Sequence, residues 1–141
     1  MTQSQHTDQT ETNTTHTDHA HEHASDHTHE VPANAPLLEG NSPKDWEEQF
    51  GPSVAIFSAL ANPLRLAIAH HLMHRPHSVS ELHTCLGISQ PLASHHLRIL
   101  REAHVIDREQ QGRTTIYRLK DHHISHIVLD VYEHTREHHA D

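Results

Sequence analysis

The sequence of 141 residues is poor in several residue types, and each shortage excludes a class of protein. Its one cysteine, Cys85, cannot form an intrachain disulfide, which agrees with a reducing cytoplasm. No run of about 18 apolar residues is present, and the N-terminus has neither the basic nor the apolar region of a signal peptide. Apolar residues make up 33% and aromatic residues 4%, too little for a chain packed along its whole length. We therefore expect a cytoplasmic protein with one small domain, an unpacked segment and no membrane partner.

The shortage is concentrated at the N-terminus. The first 30 residues contain no lysine, arginine or aromatic residue, but six acidic residues and seven of the 21 histidines. This composition predicts a disordered His/Asp/Thr-rich tail over residues 1–44, followed by a folded domain over residues 45–141. The His-x-His pairs of the tail favour the hypothesis that it binds metal weakly, as a buffer or relay, and is not the site through which metal regulates the protein. The alternative is a solubilising acidic tail that also slows non-specific DNA binding.

The apolar periodicity of the remaining chain predicts helices and one hairpin. A short lead-in helix over Asp45–Phe50 and a helix over Ser53–Leu60 are followed by a helix that Asn62-Pro63 starts and Pro76 ends. Further along come a short helix from Ser80 to a Gly87 cap, a helix capped by Ser89, a hairpin over 105–119 with a glycine turn, and a last helix over 121–138. The predicted fold class is mainly α with a β-hairpin wing, a winged helix-turn-helix that dimerises through its terminal helices.

The helix after Ser89 has the composition of a DNA-reading element. We expect Leu92, His96, Leu97 and Leu100 to point inward, and the outer face to carry Gln90, Ser94, His95 and Arg98. Residues 98–120 hold six basic and three acidic residues, and the hairpin tip carries Arg113. Two ordinary packed helices are the alternative. Because one monomer offers few contacts, the predicted partner is double-stranded operator DNA bound by a homodimer on a palindromic site.

The last helix carries residues of the types that bind zinc. Asp121 and His123 stand at its start, and His134 and Glu137 stand near its end on one face. The eleven residues between the two histidines span about 16 Å of helix, so one helix cannot place all four ligands on one ion. Two antiparallel copies would bring the start of one helix to the end of the other and make two equal sites per dimer. The alternatives are chance spacing in a histidine-rich chain and a purely capping role for Asp121.

Residues 57–137 resemble the ArsR/SmtB family of winged-helix metal-sensing repressors. The motifs that carry the resemblance are Leu60-Ala61-Asn62-Pro63-Leu64-Arg65, the run from Gln90 to Leu100, Gln111-Gly112-Arg113, and Asp121-x-His123 with His134-x-x-Glu137. The last motif is similar to the C-terminal-helix site of the zinc-sensing members. The resemblance therefore implies a metal-free dimer that binds operator DNA and is released by Zn(II).

The resemblance also implies roles for single residues. Ser94 and His95 match positions that touch DNA, and Arg113 matches the wing. In the zinc sensors the ligand corresponding to His134 bonds through its ring to a backbone carbonyl before the wing, here near His104, which would couple metal to the DNA-reading helix. Nickel- or cobalt-sensing members recruit extra C-terminal ligands, and His138 and His139 could serve as such ligands, so Ni(II) or Co(II) is an alternative effector. A solvated His-rich helix end is the favoured interpretation of these two residues.

Other residues depart from the family pattern or have no role in the sites predicted above. The Cys-x-Cys of thiolate-sensing members is replaced by Ser78-Val79-Ser80, which argues against a soft-metal site. We expect Cys85 to be a small buried residue. His70, His71, His74 and His77 are interpreted as an exposed helix face, although their spacing would also allow metal chelation.

The sequence thus predicts a metal-responsive transcriptional repressor and no enzyme. A winged-helix regulator that no metal controls is one alternative. A zinc hydrolase is disfavoured because two histidines and two carboxylates leave a tetrahedral ion no open position for water, and no HExxH or nucleophile motif is present.

Overall fold

A computed structural model describes residues 31–138 of the chain. The contacts divide the chain into two units between Leu37 and Leu38. Residues 31–37, the described part of the first unit, contain one turn, in which the amide of Ala35 donates to the carbonyl of Pro32. The helices and strands of the described residues all lie in the second unit. The tail boundary at residue 44 stays a prediction.

The first helix, α1, runs over Pro43–Leu60. Ser42 and Asp45 form a reciprocal capping box at its start, and these hydrogen bonds lower the pKa of Asp45. The two helices predicted for this region are one, so the predicted break at Gly51-Pro52 is wrong. The fixed φ of Pro52 is close to helical, so the proline costs one hydrogen bond without ending the helix.

The next three helices follow the predicted order, and the predicted caps at Asn62, Gly87 and Ser89 are confirmed, but α3 begins one residue before the predicted Ser80. Helix α2 spans Pro63–His74, and the Asn62 side chain accepts from two amides of its first turn. Helix α3 spans Val79–Leu86, begins with a Ser78–Glu81 capping box, and ends at Gly87 with φ 64°. Helix α4 spans Gln90–Glu102 and is capped by Ser89.

A three-stranded antiparallel sheet of order β1-β3-β2 completes the wing. The predicted hairpin is confirmed as β2, Ile106–Gln111, and β3, Thr114–Leu119, with Gln111 opposite Thr114. Gly112 has φ 62° at the first turn position, where a type II′ turn needs a glycine. The two-residue strand β1, His77–Ser78, pairs with Ile116 and Tyr117 and was not predicted.

The last helix, α5, spans His122–His138 and packs on α2. Its residues Ile124 and Val128 are buried in a core shared by all five helices and the sheet. The largest fully buried side chains of this core are Ile68, Leu82, Leu97, Leu100, Val105, Ile106 and Val128. This core holds α4 and the wing in fixed positions on one scaffold.

Among residues 31–138, no single helix is long and apolar enough to cross a membrane. Helices α1 and α2 reach the length and apolar composition of a membrane span only when taken together, and the chain bends by 97° between them.

Candidate nucleic-acid interface and metal-binding residues

Helices α3 and α4 form the helix-turn-helix. The left-handed Gly87 ends α3, and two residues later Ser89 caps α4, with its hydroxyl accepting from the amide of Leu92 at 3.3 Å. The turn is therefore fixed by local chemistry at both of its ends. This geometry places the first turn of α4 at the surface, where a recognition helix meets base edges.

The two faces of α4 differ as a recognition helix requires. Gln90, Ser94, His95 and Arg98 are all exposed, as predicted. Ala93, His96, Leu97 and Leu100 are buried. The inward orientation predicted for Leu92 is wrong, since its side chain is 38% exposed and Ala93 fills the inner position. Ala93 lies at i, i+3/i+4 spacing from His96 and Leu97 on the buried face, and Leu92 lies at the edge of that face.

His96 is the buried polar residue of this helix. It is 7% exposed, and its Nδ1 atom has no hydrogen-bond partner among residues 31–138. Burial lowers the pKa of His96, and the nearby charges of Arg65 and His95 lower it further. Burial therefore favours the neutral imidazole inside the DNA-reading element.

Ion pairs divide the basic residues of the 98–120 stretch into two groups. Its three acidic residues pair with Arg98, Arg118 and Lys120, the Asp107–Lys120 contact being 3.0 Å. Within the described residues, Arg101, Arg108 and Arg113 have no acidic partner within ion-pair distance. The net positive charge is therefore carried by these three arginines, of which Arg108 and Arg113 are exposed on the wing.

Arg108 is a candidate DNA contact that sequence reasoning missed. It lies on β2 opposite Tyr117, on the strand that leads to the wing tip. Its place among the six basic residues of the 98–120 stretch was the available signal. The tip itself is braced by Gln110, whose amide donates to the Gly112 carbonyl and accepts from the Thr115 hydroxyl. A braced tip presents Arg113 at a fixed place.

The four predicted zinc ligands lie in two exposed sets at opposite ends of α5. Asp121 caps the helix, with Oδ1 accepting from the amides of His123 and Ile124 at 2.9 and 3.1 Å. His134 and Glu137 lie near the other end. Within the described residues of one chain, no three metal-ligating side chains come together. A site shared between two protomers stays a prediction, because it joins the start of one helix to the end of another.

His138 and His139 are the predicted additional metal ligands, and His104 marks the predicted carbonyl relay. The ring centroids of His138 and His134 lie 4.4 Å apart on one face of α5, while His139 lies outside the described residues. His104 lies between α4 and β2, as the predicted relay requires, and has a left-handed φ of 59°. The bond from a partner's His134 to a carbonyl near His104 stays a prediction.

The expectations for Cys85 and for the histidine cluster of α2 are both wrong. Cys85 is exposed, because it lies on the outer side of α3 while Leu82 occupies the core side. The histidines of α2 do not form one exposed face: His74 is exposed, but His70 and His71 are half-buried. His77 is 4% exposed and pairs in the sheet, with its Nδ1 in hydrogen-bond contact with the Arg75 carbonyl. Burial and the neighbouring His77, His70 and His74 lower the pKa of His71.

An apolar surface runs along α1 and α5. Phe57 is 58% exposed and Val131 49% exposed, and both line a cleft of about 150 Å³ floored by Leu60, Leu66 and Val128. We call these two residues and Val54 the apolar face. Exposed apolar patches of this kind mark association surfaces.

The helix-turn-helix, the exposed polar face of α4 and the arginine-bearing wing define a winged helix-turn-helix DNA-binding protein. Residues 62–108 match the family described as "Bacterial regulatory protein, arsR family". The chain is 38% identical over 117 residues to the HTH-type transcriptional repressor SmtB of Mycobacterium tuberculosis, covering 83% of this chain and 82% of the relative. The chain belongs to the ArsR/SmtB family and is a transcriptional repressor, not an enzyme.

Solved structures agree with this fold. The transcriptional repressor BigR from Xylella fastidiosa superposes with a TM-score of 0.56 at 27% identity, over 66% of this chain and 95% of BigR. A homodimeric winged helix-turn-helix domain from Mycobacterium bovis has a TM-score of 0.62 at 20% identity, over 74% and 94% of the two chains. The second likeness concerns the fold alone.

Proposed function

We propose that this repressor binds operator DNA as a metal-free homodimer and is released when Zn(II) occupies two inter-subunit sites. The observation that carries the proposal is the placement of two exposed half-sites, Asp121 with His123 and His134 with Glu137, at opposite ends of one helix. An antiparallel pair of such helices places each half-site beside its complement. Two imidazoles and two carboxylates match the tetrahedral donor set that zinc accepts.

The half-sites have donor atoms available for an ion. His123, His134 and Glu137 are exposed. The Oδ1 atom of Asp121 is engaged with the two amides of its cap, so Oδ2 is its metal-facing oxygen. The cap thereby orients the carboxylate, which lowers the cost of ordering it on binding.

Release follows from a shift between two arrangements of the dimer. The apolar face supports the pairing of protomers, and α4 is joined to the same core as α5. An ion that crosslinks two α5 helices favours one spacing of the paired recognition helices. If that spacing differs from the spacing that DNA requires, metal and operator oppose each other by the same free energy.

Nickel or cobalt is the second candidate effector. His138 is next to His134 on the same face, so the half-site can offer a further imidazole to an ion of higher coordination number. His139 follows it in sequence. The relative potency of Zn(II), Ni(II) and Co(II) in releasing DNA separates the two candidates.

The test is fluorescence anisotropy on DNA from the gene's own upstream region, first with chelator and then with each metal. His123→Ala and His134→Ala should keep metal-free binding and lose Zn-induced release, because each removes one ligand from both sites. His126→Ala, one turn along the same helix, is the matched control and should respond like the unmodified chain. Normal release from either ligand variant would contradict the α5 site, and tight binding insensitive to every metal would favour a regulator of another signal.

A further inference from the structure

Two histidines of α2 are spaced for a metal ion. His70 and His74 are separated by one helical turn, and their ring centroids are 5.1 Å apart in an edge-on arrangement. Two imidazoles that bind one tetrahedral ion at about 2 Å have centroids about 5 Å apart. The pair therefore already has the separation that chelation requires.

The surroundings fix one ring and leave the other accessible. His70 is half-buried, and its ring lies 4.9 Å from that of Tyr132 on α5. It also lines an apolar cleft of about 290 Å³ together with Leu66 and Val128. His74 is exposed at the end of α2. A ring held by packing loses little freedom on binding, while the exposed ring gives the ion an entry path.

We propose that His70 and His74 form a second metal site, which takes a borderline divalent transition-metal ion between their two imidazoles. Water completes the coordination, because the described residues offer no third protein ligand at this place. Among ions of this class Cu(II) should bind most tightly, and Ni(II) and Zn(II) less tightly. The site lies at the contact of α2 with α5, so an ion here would stiffen the packing of His70 on Tyr132.

Other histidine pairs fit chelation less well. The centroids of His71 and His77 are 6.1 Å apart, those of His122 and His126 5.9 Å, and those of His95 and His96 5.4 Å. All three separations exceed the value of about 5 Å for a tetrahedral ion, and His96 is also buried. The pair on α2 is therefore the best-formed two-histidine site that does not use the α5 half-sites, and it does not depend on the proposed function.

Paramagnetic broadening by Cu(II) tests this site in the full chain, because it reports which signals lie near the ion even when other histidines also bind. Cu(II) is titrated into the 15N-labelled protein in small steps, and the unmodified chain and His74→Ala are compared at the same subsaturating Cu(II) concentrations. The unmodified chain should lose the amide signals of residues 70–74 and the signals of Tyr132. Removal of a partner outside the coordination sphere typically costs about 10–100-fold in metal affinity, so loss of a ligand in His74→Ala should cost at least about tenfold.

His122→Ala is the matched control, because it removes one exposed imidazole from the wider pair on α5 and should leave the α2 broadening unchanged. His74 is exposed, so its replacement should preserve the fold, which the remaining amide spectrum verifies. The proposal is overturned if Cu(II) leaves the α2 signals intact or broadens them equally in His74→Ala. His134→Ala should retain the α2 broadening whether or not Zn(II) releases DNA, so the two proposals fail separately.

Discussion

His104 is the one non-glycine residue with positive φ among residues 31–138. It ends α4 in a Schellman arrangement, in which its amide donates to the Arg101 carbonyl and that of Val105 to the Leu100 carbonyl. Glycine adopts this backbone conformation without the steric cost of a Cβ. His104→Gly should therefore raise the free energy of unfolding by up to about 1 kcal/mol, measured by urea denaturation.

His104→Ala is the control for this prediction, because it removes the imidazole but keeps the Cβ. It should gain no stability. An equal gain in the alanine variant would show that the side chain, and not the backbone, is unfavourable there. Since the predicted relay uses a main-chain carbonyl near His104, the glycine variant should also keep its response to Zn(II) if the cap geometry is preserved.

His96 makes the stability of the domain sensitive to pH. Burial lowers its pKa below the ordinary value of 6.5, so near that pH the unfolded chain binds more protons than the folded chain. The stability contributed by neutral His96 is present above pH 6.5 and is lost as the pH falls below it. His96→Leu should therefore show a smaller drop in the free energy of unfolding between pH 7.5 and pH 5.5 than the unmodified chain.

His122→Leu is the control for the pH effect, because His122 is exposed on α5 and is not among the groups that lower the pKa of His96. This variant should keep the pH dependence of stability close to that of the unmodified chain. If the free energy of unfolding of His96→Leu depended on pH as strongly as that of the unmodified chain, other histidines would be responsible for the effect.

At the scale of elements, local chemistry made most of the fold predictable. Asn62-Pro63, Gly87, Ser89 and Gly112 are strong start and stop signals, and each helix or turn that they predicted is present. The signal at Gly51-Pro52 failed because the φ of Pro52 is compatible with a helix, which tolerates one missing hydrogen bond. Strand β1 was not predicted because its two residues form a strand only by pairing with β3, which lies far along the chain.

The sites were predictable to the extent that they lie on one helix face. The outer residues of α4 follow from its period, and its only misassigned position, Leu92, is next to the boundary of the buried face. The wrong expectations for Cys85 and His77 concern burial by other elements, which periodicity within one helix cannot report. The α5 sites need a second chain, so spacing could suggest them but one protomer cannot complete them.

The wing should supply much of the electrostatic part of DNA binding, because Arg108 and Arg113 have no acidic partner in the described part of the chain. Either Arg108→Ala or Arg113→Ala should weaken operator binding. Each should also reduce the slope of log affinity against log salt by about 1 for every phosphate that is no longer neutralised, and by about 2 for a symmetric dimer. Anisotropy titrations at several salt concentrations measure both quantities.

Lys44→Ala controls for the loss of a positive charge as such. Lys44 is an exposed basic residue on α1, away from the helix-turn-helix, and it pairs only weakly with Glu48 at 3.7 Å. Its removal should leave the salt slope unchanged. An unaltered slope in both arginine variants would place the DNA contacts elsewhere than the wing.

At the scale of the whole molecule, the proposed DNA recognition and the proposed metal response both require two chains. The half-sites of α5 are incomplete alone, and the apolar face leaves Phe57 and Val131 exposed beside a cleft between α1 and α5. Full burial of such a side chain is worth about 1.5–3 kcal/mol. A symmetric dimer gains this twice, so one substitution on the apolar face acts on both subunits.

Phe57→Glu should therefore raise the dimer dissociation constant by more than about tenfold, measured by sedimentation equilibrium. Cys85→Glu adds the same charge at an exposed position on α3 and should leave the dimer intact. Operator affinity of Phe57→Glu should fall together with dimerisation, because two linked recognition helices bind a palindrome more tightly than two separate ones. If Phe57→Glu remained dimeric, the protomers would have to pair through another surface, and the antiparallel arrangement that completes the α5 sites would lose its support.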